Sequence, residues 1–349
     1  MENITYNSKN EIKNILVTGG AGFIGSNFIE LLLTNRKYNV INLDLLTYAG
    51  NLQNLNWIGD NYPNYKFIKG DICDRELIEK IIKENNVDSV INFAAETHVD
   101  RSILESSNFV RTNINGTVNL LDVSRKFNIK RFIQISTDEV YGSLSNVGFF
   151  TEQTNINPSS PYSSTKASAD IIALSYFHTY NTPVIITRCS NNYGPKQFPE
   201  KLIPLIISNS LENKNIPVYG DGLNVRDWIF VKDHNLAILD ILEKGENGEV
   251  YNIGASNEIK NIDIVTLILN SLNKPLDLIT YVKDRPGHDR RYAIDSNKIQ
   301  TSLNWSPKTE FKDGIDLTIK WYLDNQTWIN EIKSGEYQNY YNLNYNNRS

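Results

Sequence analysis

The chain has 349 residues, more than a single hydrophobic core usually organises, so a large α/β unit with a smaller lobe is the expectation. Hydrophobic residues make up 40% and charged residues 21%, as in soluble globular proteins, and no apolar run is long enough to cross a bilayer. A net charge of −5 argues against nucleic-acid binding while leaving room for a local basic site for an anion.

Met1–Asn14 is polar and carries no apolar signal core, which argues against secretion. Asn14–Thr18 reads as a strand, followed by a glycine-rich turn and a helix over Phe23–Leu33. Strands are then expected at Val40–Leu43, Lys66–Ile68, Ser89–Phe93, Arg131–Ser136 and Val184–Arg188. Helices are expected at Arg75–Asn85, Gly116–Asn128 and Tyr162–Tyr180. This alternation predicts a Rossmann-type, doubly wound parallel sheet covered by helices on both faces. After Asn191 turn residues crowd together and the alternation is lost, with Glu249–Ile253 as one strand returning to the sheet. The expected division is therefore a nucleotide-binding unit over 12–192 with returning segments at about 225–256. A smaller C-terminal lobe would take 193–224 and 257–340. Asn339–Ser349, rich in Asn and Tyr, reads as a tail or a late contact. Cys73 and Cys189 are far apart and lack metal-ligand spacing, which fits a reducing cytosol with both thiols buried and inert. The four histidines are scattered and suggest no metal site.

Gly19, Gly22 and Gly25 are spaced G-x-x-G-x-x-G between a strand and a helix. Glycine permits the sharp turn and lets the backbone approach a pyrophosphate at the positive helix N-terminus. Asp44 ends the next strand, nineteen residues after Gly25, where a carboxylate can bind both ribose hydroxyls and repel a 2′-phosphate. NAD is therefore favoured over NADP. Asp71 and Ile72, after the third strand, fall near the adenine, and Phe93-Ala94-Ala95 supplies small residues for close approach.

Two further segments carry chemistry. Tyr162 and Lys166 are spaced i, i+4 and share a helix face. A phenol titrates near pH ~10; a neighbouring ammonium is expected to favour the phenolate, and the positive nicotinamide of the cofactor to do so further, preparing Tyr162 as a base. Ser136-Thr137-Asp138-Glu139-Val140-Tyr141-Gly142 puts two adjacent carboxylates where a strand should end. Adjacent residues on a regular strand face opposite sides, so joint action requires the strand to stop or bend there. Taken alone, a capping or solvated pair is the commoner reading of such neighbours.

These segments resemble the extended short-chain dehydrogenases/reductases. Within that superfamily the chain is similar to the dTDP-glucose 4,6-dehydratase family along nearly its whole length. The glycine motif and Tyr-x-x-x-Lys mark the superfamily; Thr137-Asp138-Glu139 and Arg285-Pro286-Gly287-His288-Asp289-Arg290-Arg291 are more specific. The resemblance implies NAD as a bound, regenerated cofactor, with Tyr162 taking the 4-hydroxyl proton as hydride leaves C4 and Thr137 bonding the C4 oxygen. Glu139 would remove the C5 proton and Asp138 would protonate the departing C6 hydroxyl, before hydride returns to C6. Repulsion within the carboxylate pair is expected to keep one protonated and one ionised. The resemblance also puts Phe23, Ile24, Leu45, Leu46, Thr47, Thr97, Thr112, Ser136 and Asn192 beside the cofactor. It puts Thr97, Asn191, Lys201, Leu202, Pro217, Val218, Tyr219, Arg226, Asn261, Asp284, Arg285, His288 and Tyr345 beside the nucleotide sugar. Arginine suits planar recognition of phosphate oxygens. A homodimer packed through Gly116–Asn128 and Tyr162–Tyr180 is implied as well. Alternatives are a UDP-glucose 4,6-dehydratase, a 4-epimerase, which needs no acid/base pair at C5 and C6, and a non-catalytic NAD-binding protein on the same fold.

Overall fold

The computed structural model describes residues 12–35 and 37–333. Its centre is a seven-stranded sheet whose neighbours all run parallel. The strands are β1 (Asn14–Thr18), β2 (Asn39–Asp44), β3 (Tyr65–Lys69), β4 (Ser89–Asn92), β5 (Arg131–Thr137), β6 (Val184–Cys189) and, from a distant part of the chain, β10 (Val250–Ile253). Their order is β10-β6-β5-β4-β1-β2-β3. The winding direction reverses between β1 and β4, which opens a crevice beyond the C-terminal ends of those strands. The inner strands are rich in Val and Ile because helices cover both faces. One core lies beneath α1 (Phe23–Thr34) and α8 (Val231–Lys244). The other lies beneath α2 (Arg75–Glu84), α5 (Thr117–Lys126) and α6 (Pro161–Tyr180).

Between β4 and α5 the chain is helical over a longer span than expected. After α3 (Val99–Leu104), α4 (Ser107–Phe109) runs through a wide π turn, Val110–Gly116, directly into α5. The sequence expectation began this helix at Gly116. Its earlier part lacks a regular apolar stripe and is held by polar contacts of Asn113, which bonds the Thr165 hydroxyl and the Glu96 main chain. Such π turns recur at functional sites, and this one carries Thr112.

The remaining elements surround a third core. They are β7 (Asn191–Tyr193), α7 (Leu202–Leu211), β8 (Ile216–Tyr219), β9 (Val225–Phe230), β11 (Glu258–Lys260), α9 (Asn261–Ser271), β12 (Ile279–Val282), α11 (Phe311–Asp324) and α12 (Gln326–Ile332); α10 (Asn297–Leu303) packs beside β10. Strands β11, β9 and β7 form one small sheet and β12 and β8 another. No described helix is long and apolar enough to cross a membrane.

Candidate active site

A cavity of about 300 Å³ lies at the reversal point, over the ends of β1, β2, β4, β5 and β6. At its floor the glycine turn is as tight as its spacing suggests. Gly19 adopts φ +69°, and a Cβ there would stand 2.6 Å from the Ala94 nitrogen. A Cβ on Gly25 would stand 2.4 Å from the Gly19 carbonyl oxygen. Gly22 precedes α1 with no side chain capping the helix, so the first-turn N–H groups face the cavity with the helix dipole behind them. Asp44 is buried and accepts from the main chain of Ala21 at 2.9 Å and of Leu46 at 2.8 Å. This cradle fits a dinucleotide: an uncapped helix start for the pyrophosphate and a carboxylate on β2 for a ribose.

Every residue expected at the cofactor lines this cavity except Leu46. Leu46 instead turns the loop, at φ +57°, and its N–H anchors Asp44.

The reactive groups meet at the opposite end of the cavity. Ser160 caps α6 in a reciprocal box with Ser163, and Pro161 occupies the first turn. That start fixes Tyr162 and Lys166 one turn apart, both buried and both on the cavity wall. β5 ends at Thr137, and Asp138–Tyr141 forms a single 3₁₀ turn closed by Gly142 at φ +83°. The Thr137 hydroxyl accepts from the Glu139 N–H at 3.2 Å and lies 3.3 Å from Asp138 Oδ1. The turn lets two neighbours that would diverge on a strand line one cavity.

Burial sets the electrostatics. It pushes the Asp138 carboxyl well above its usual range, and the neighbouring charges of Glu139 and Asp227 add to the effect. Burial also raises Glu139, but Arg285, Lys201 and Arg226 oppose the shift. Lys166 is pushed down by burial, which Asp170 opposes, and its ammonium donates to the Ile135 carbonyl at 2.5 Å. The phenol of Tyr162 responds to the same burial. Burial and the Glu139 charge raise its hydroxyl well above 10, and the side chain that works against them is Thr137. Desolvation is the largest contributor, acting against the phenolate that Lys166 and a bound nicotinamide are expected to favour together.

Of the residues expected at the nucleotide sugar, Thr97, Thr137, Asn191 and Lys201 line the cavity; Leu202, Pro217, Val218, Tyr219, Arg226, Asn261, Asp284, Arg285 and His288 do not. Lys201 stands immediately before α7 and donates to the Thr97 carbonyl at 3.0 Å; Leu202 follows it as the first residue of α7. Pro217 is buried and Val218 packs in the third core. Tyr219 donates to Asp100 Oδ2 at 2.9 Å, Arg285 reaches Asp100 Oδ1 at 3.4 Å, and His288 Nδ1 lies 2.6 Å from Asp284 Oδ1. Arg226 is buried over the Tyr292 ring at 4.2 Å and donates to the Asp289 carbonyl at 2.8 Å. Asn261 begins α9 with a buried side-chain oxygen that finds no partner among the described residues. Tyr345 lies outside the described residues.

Residues 16–318 match the family model described as GDP-mannose 4,6 dehydratase. The dTDP-glucose 4,6-dehydratase of Xanthomonas campestris pv. campestris is 49% identical over 93% of this chain and 97% of its own. That of Salmonella typhimurium is 47% identical over 96% of this chain and 99% of its own. The chain belongs to the dTDP-glucose 4,6-dehydratase family. Among solved structures, the Bacillus anthracis dTDP-glucose 4,6-dehydratase in complex with NAD superposes on this dehydratase with a TM-score of 0.87, at 52% identity over 92% of this chain and 100% of that one. The UDP-glucose 4-epimerase of Thermotoga maritima superposes at 0.84 but is 32% identical, over 90% and 99%. Fold similarity thus spans dehydratases and epimerases, and sequence identity sets this dehydratase with the former.

Several lining residues of this dehydratase carry no short-range signal. Cys189, Ser190, Gln197 and Glu200 reach the cavity from the end of β6 and the segment before α7. Cys189 is buried as expected, whereas Cys73 is only half-buried, with its thiol donating to the Arg111 carbonyl. Glu200 bonds the Tyr48 hydroxyl at 2.9 Å and sits 3.4 Å from Arg101. Such contacts join positions about 100 to 150 residues apart, beyond the reach of local spacing.

Proposed function

We propose that this chain is an NAD-dependent hydro-lyase that converts dTDP-glucose to dTDP-4-keto-6-deoxyglucose and water. The observation that carries this reading is the 3₁₀ turn after β5, which presents Asp138 and Glu139 to the same cavity as Tyr162 and Lys166. An enzyme that only oxidised and reduced at C4 would need no second acid and base there.

Gly19, Gly22, Gly25 and the start of α1 would hold the pyrophosphate of NAD, and Asp44 its adenosine ribose. Bound NAD supplies a reversible hydride acceptor, which makes the overall reaction redox-neutral. Tyr162 takes the proton of the 4-hydroxyl, and Thr137 donates to the same oxygen. Because burial raises the phenol, substrate and the cationic cofactor must lower it when they bind. The C4 ketone acidifies C5–H, and Glu139 removes that proton. Three cations oppose its upward shift, which favours the ionised state a base requires. Asp138 protonates the departing C6 oxygen. Its burial and its two carboxylate neighbours keep the acid protonated, and its Oδ2 finds no hydrogen-bond partner among the described residues. Lys201, Arg285 and Arg226 supply positive charge beside the pair and toward the substrate diphosphate.

The wider reading has three parts. The chain is divided into a cofactor unit over 12–192 with returning segments at about 225–256, and a substrate lobe over 193–224 and 257–340; the return of β10 to the main sheet supports this. The enzyme acts in the cytoplasm, consistent with two free cysteines. It assembles as a homodimer through the outer faces of α5 and α6, near which Ile171, Leu104 and Val110 stand 57%, 65% and 43% exposed.

The test is incubation of holoenzyme with dTDP-, UDP-, GDP- and CDP-hexoses, with products identified by NMR. A 4-keto-6-deoxy product from dTDP-glucose, without stoichiometric reduced cofactor, is expected. Recovery of dTDP-galactose would make the protein an epimerase, and no turnover of any hexose would make it a binding protein. Preference for dTDP over UDP rests on one methyl group, worth about 1–3 kcal/mol in an apolar pocket.

A further inference from the structure

A buried network outside the cavity connects the two halves of the site. Asp170 lies one turn beyond Lys166 and two beyond Tyr162 on α6, with no exposed surface. Its Oδ2 accepts from Arg188 Nε at 2.9 Å, and Arg188, on β6, is 3% exposed. The Arg188 Nη1 donates to the Tyr141 hydroxyl at 3.0 Å, and that hydroxyl donates to Asn252 Oδ1 on β10 at 2.8 Å. Burial pushes the Tyr141 phenol up to about 12, so it stays protonated and can donate to one partner while accepting from the other. Tyr141 is also the last residue of the turn that starts with Asp138. In a 3₁₀ turn side chains three residues apart eclipse one another, so Tyr141 and Asp138 project from the same side of this one turn.

Removal of two charges from water is not repaid in stability alone, since an apolar trio of the same shape often serves as well. What the ionic chain supplies here is directional contact between two elements. We propose that Asp170, Arg188 and Tyr141 are positioning residues that hold the Asp138–Glu139 turn in register with the Tyr162–Lys166 helix, so that oxidation at C4 and elimination across C5–C6 act on one bound sugar. The proposal rests on the functional reading above. It gives Arg188 a role in the elimination step although it touches neither substrate nor cofactor.

Tyr141→Phe tests it with little risk to folding, because the ring and its stacking on Phe150, 5.0 Å away, are kept. The holoenzyme is mixed with dTDP-glucose in D₂O. C4 oxidation is followed by reduced-nicotinamide absorbance, and elimination by deuterium at C5 and water loss in quenched samples. Elimination should slow by roughly 10- to 100-fold, the cost of an ångström-scale misplacement, while oxidation holds, so that reduced cofactor accumulates. Arg188→Lys keeps a charge beside Asp170 but loses the reach to Tyr141, and it should give the same partition. The double variant should be no slower than the slower single one, because both cut one connection. Equal loss of both steps, unchanged elimination, or multiplicative effects in the double variant would overturn the proposal. Failure of the unmutated enzyme to dehydrate any nucleotide hexose would instead overturn the functional reading, and this proposal with it.

Discussion

The glycine turn offers a graded test, because its two later glycines are crowded by different things. At Gly25 a Cβ would stand 2.4 Å from the Gly19 carbonyl oxygen and 2.9 Å from the Gly20 Cα, both main-chain atoms that cannot swing aside. At Gly22 the nearest atom to an added Cβ is the same carbonyl oxygen, at 3.3 Å, which asks for only a few tenths of an ångström. Gly25→Ala must therefore push the turn away from α1, an overpacking strain of about 1–3 kcal/mol. If the strain falls on the cofactor-binding form, NAD affinity drops by roughly 5- to 150-fold. A share that falls on folding lowers the melting temperature by about 2–4 °C per kcal/mol, with large chains at the low end. Gly22→Ala should leave melting of the cofactor-free protein unchanged yet weaken NAD, because its methyl occupies the space the pyrophosphate needs. The assay is paired: NAD retained after gel filtration with calorimetric titration of stripped protein, and thermal melting of that stripped protein. If Gly25→Ala keeps full NAD and the parental melting point, the close approach does not constrain the cradle. If Gly22→Ala binds NAD normally, the pyrophosphate does not lie at the start of α1.

Three other outcomes follow from the site and its surroundings. Glu139→Gln should abolish solvent-deuterium incorporation at C5 while some C4 oxidation persists; normal incorporation would remove Glu139 as the base. The base must be ionised and burial has raised it from 4.5, so the acid limb of kcat/KM should lie above that value. Lys201→Met removes one of the opposing cations and should move that limb to still higher pH, whereas a limb that stays or moves down would contradict the assignment. His234 is fully buried and its imidazole is pushed down from 6.5 to about 3. The unfolded chain takes up this proton first, so the contribution of neutral His234 is present above pH 6.5 and lost as pH falls towards 3, by up to ~5 kcal/mol. His234→Phe should flatten that part of the stability–pH curve in denaturant titrations; an unchanged slope would show that the imidazole is not kept neutral.

Much of this site was legible from the residues because its signals are local. The glycine spacing, the acid ending β2 and the i, i+4 pair on α6 each lie within a few dozen residues and follow from backbone geometry. The strand and helix periods placed the main sheet within a residue or two at most ends, because strands buried on both faces need continuous Val and Ile. The helical stretch before Gly116 escaped notice because Asn113 holds it through polar contacts with Glu96 and Thr165, which leave no apolar stripe to read.

Other properties depend on what the fold brings near. That Asp138 and Glu139 share a cavity follows from β5 stopping at Thr137 and turning through Gly142. Tyr162 and Lys166 announce their pairing by spacing, yet the burial that raises the phenol, and that a bound cationic cofactor must offset, comes from the fold. The arginines and histidine of Arg226 and Asp284–His288 could be assigned to a substrate diphosphate only by likeness; the tertiary structure ties Arg285 to Asp100, His288 to Asp284, and Arg226 to the main chain at Asp289. Asp170 and Arg188 gave no sign in the sequence of joining the two halves of the site. The amino-acid order determined which groups could react and how the backbone around them would run. The tertiary structure decided how much water and which charges those groups meet, because desolvation and Coulomb terms depend on distances in space that spacing along a chain does not encode.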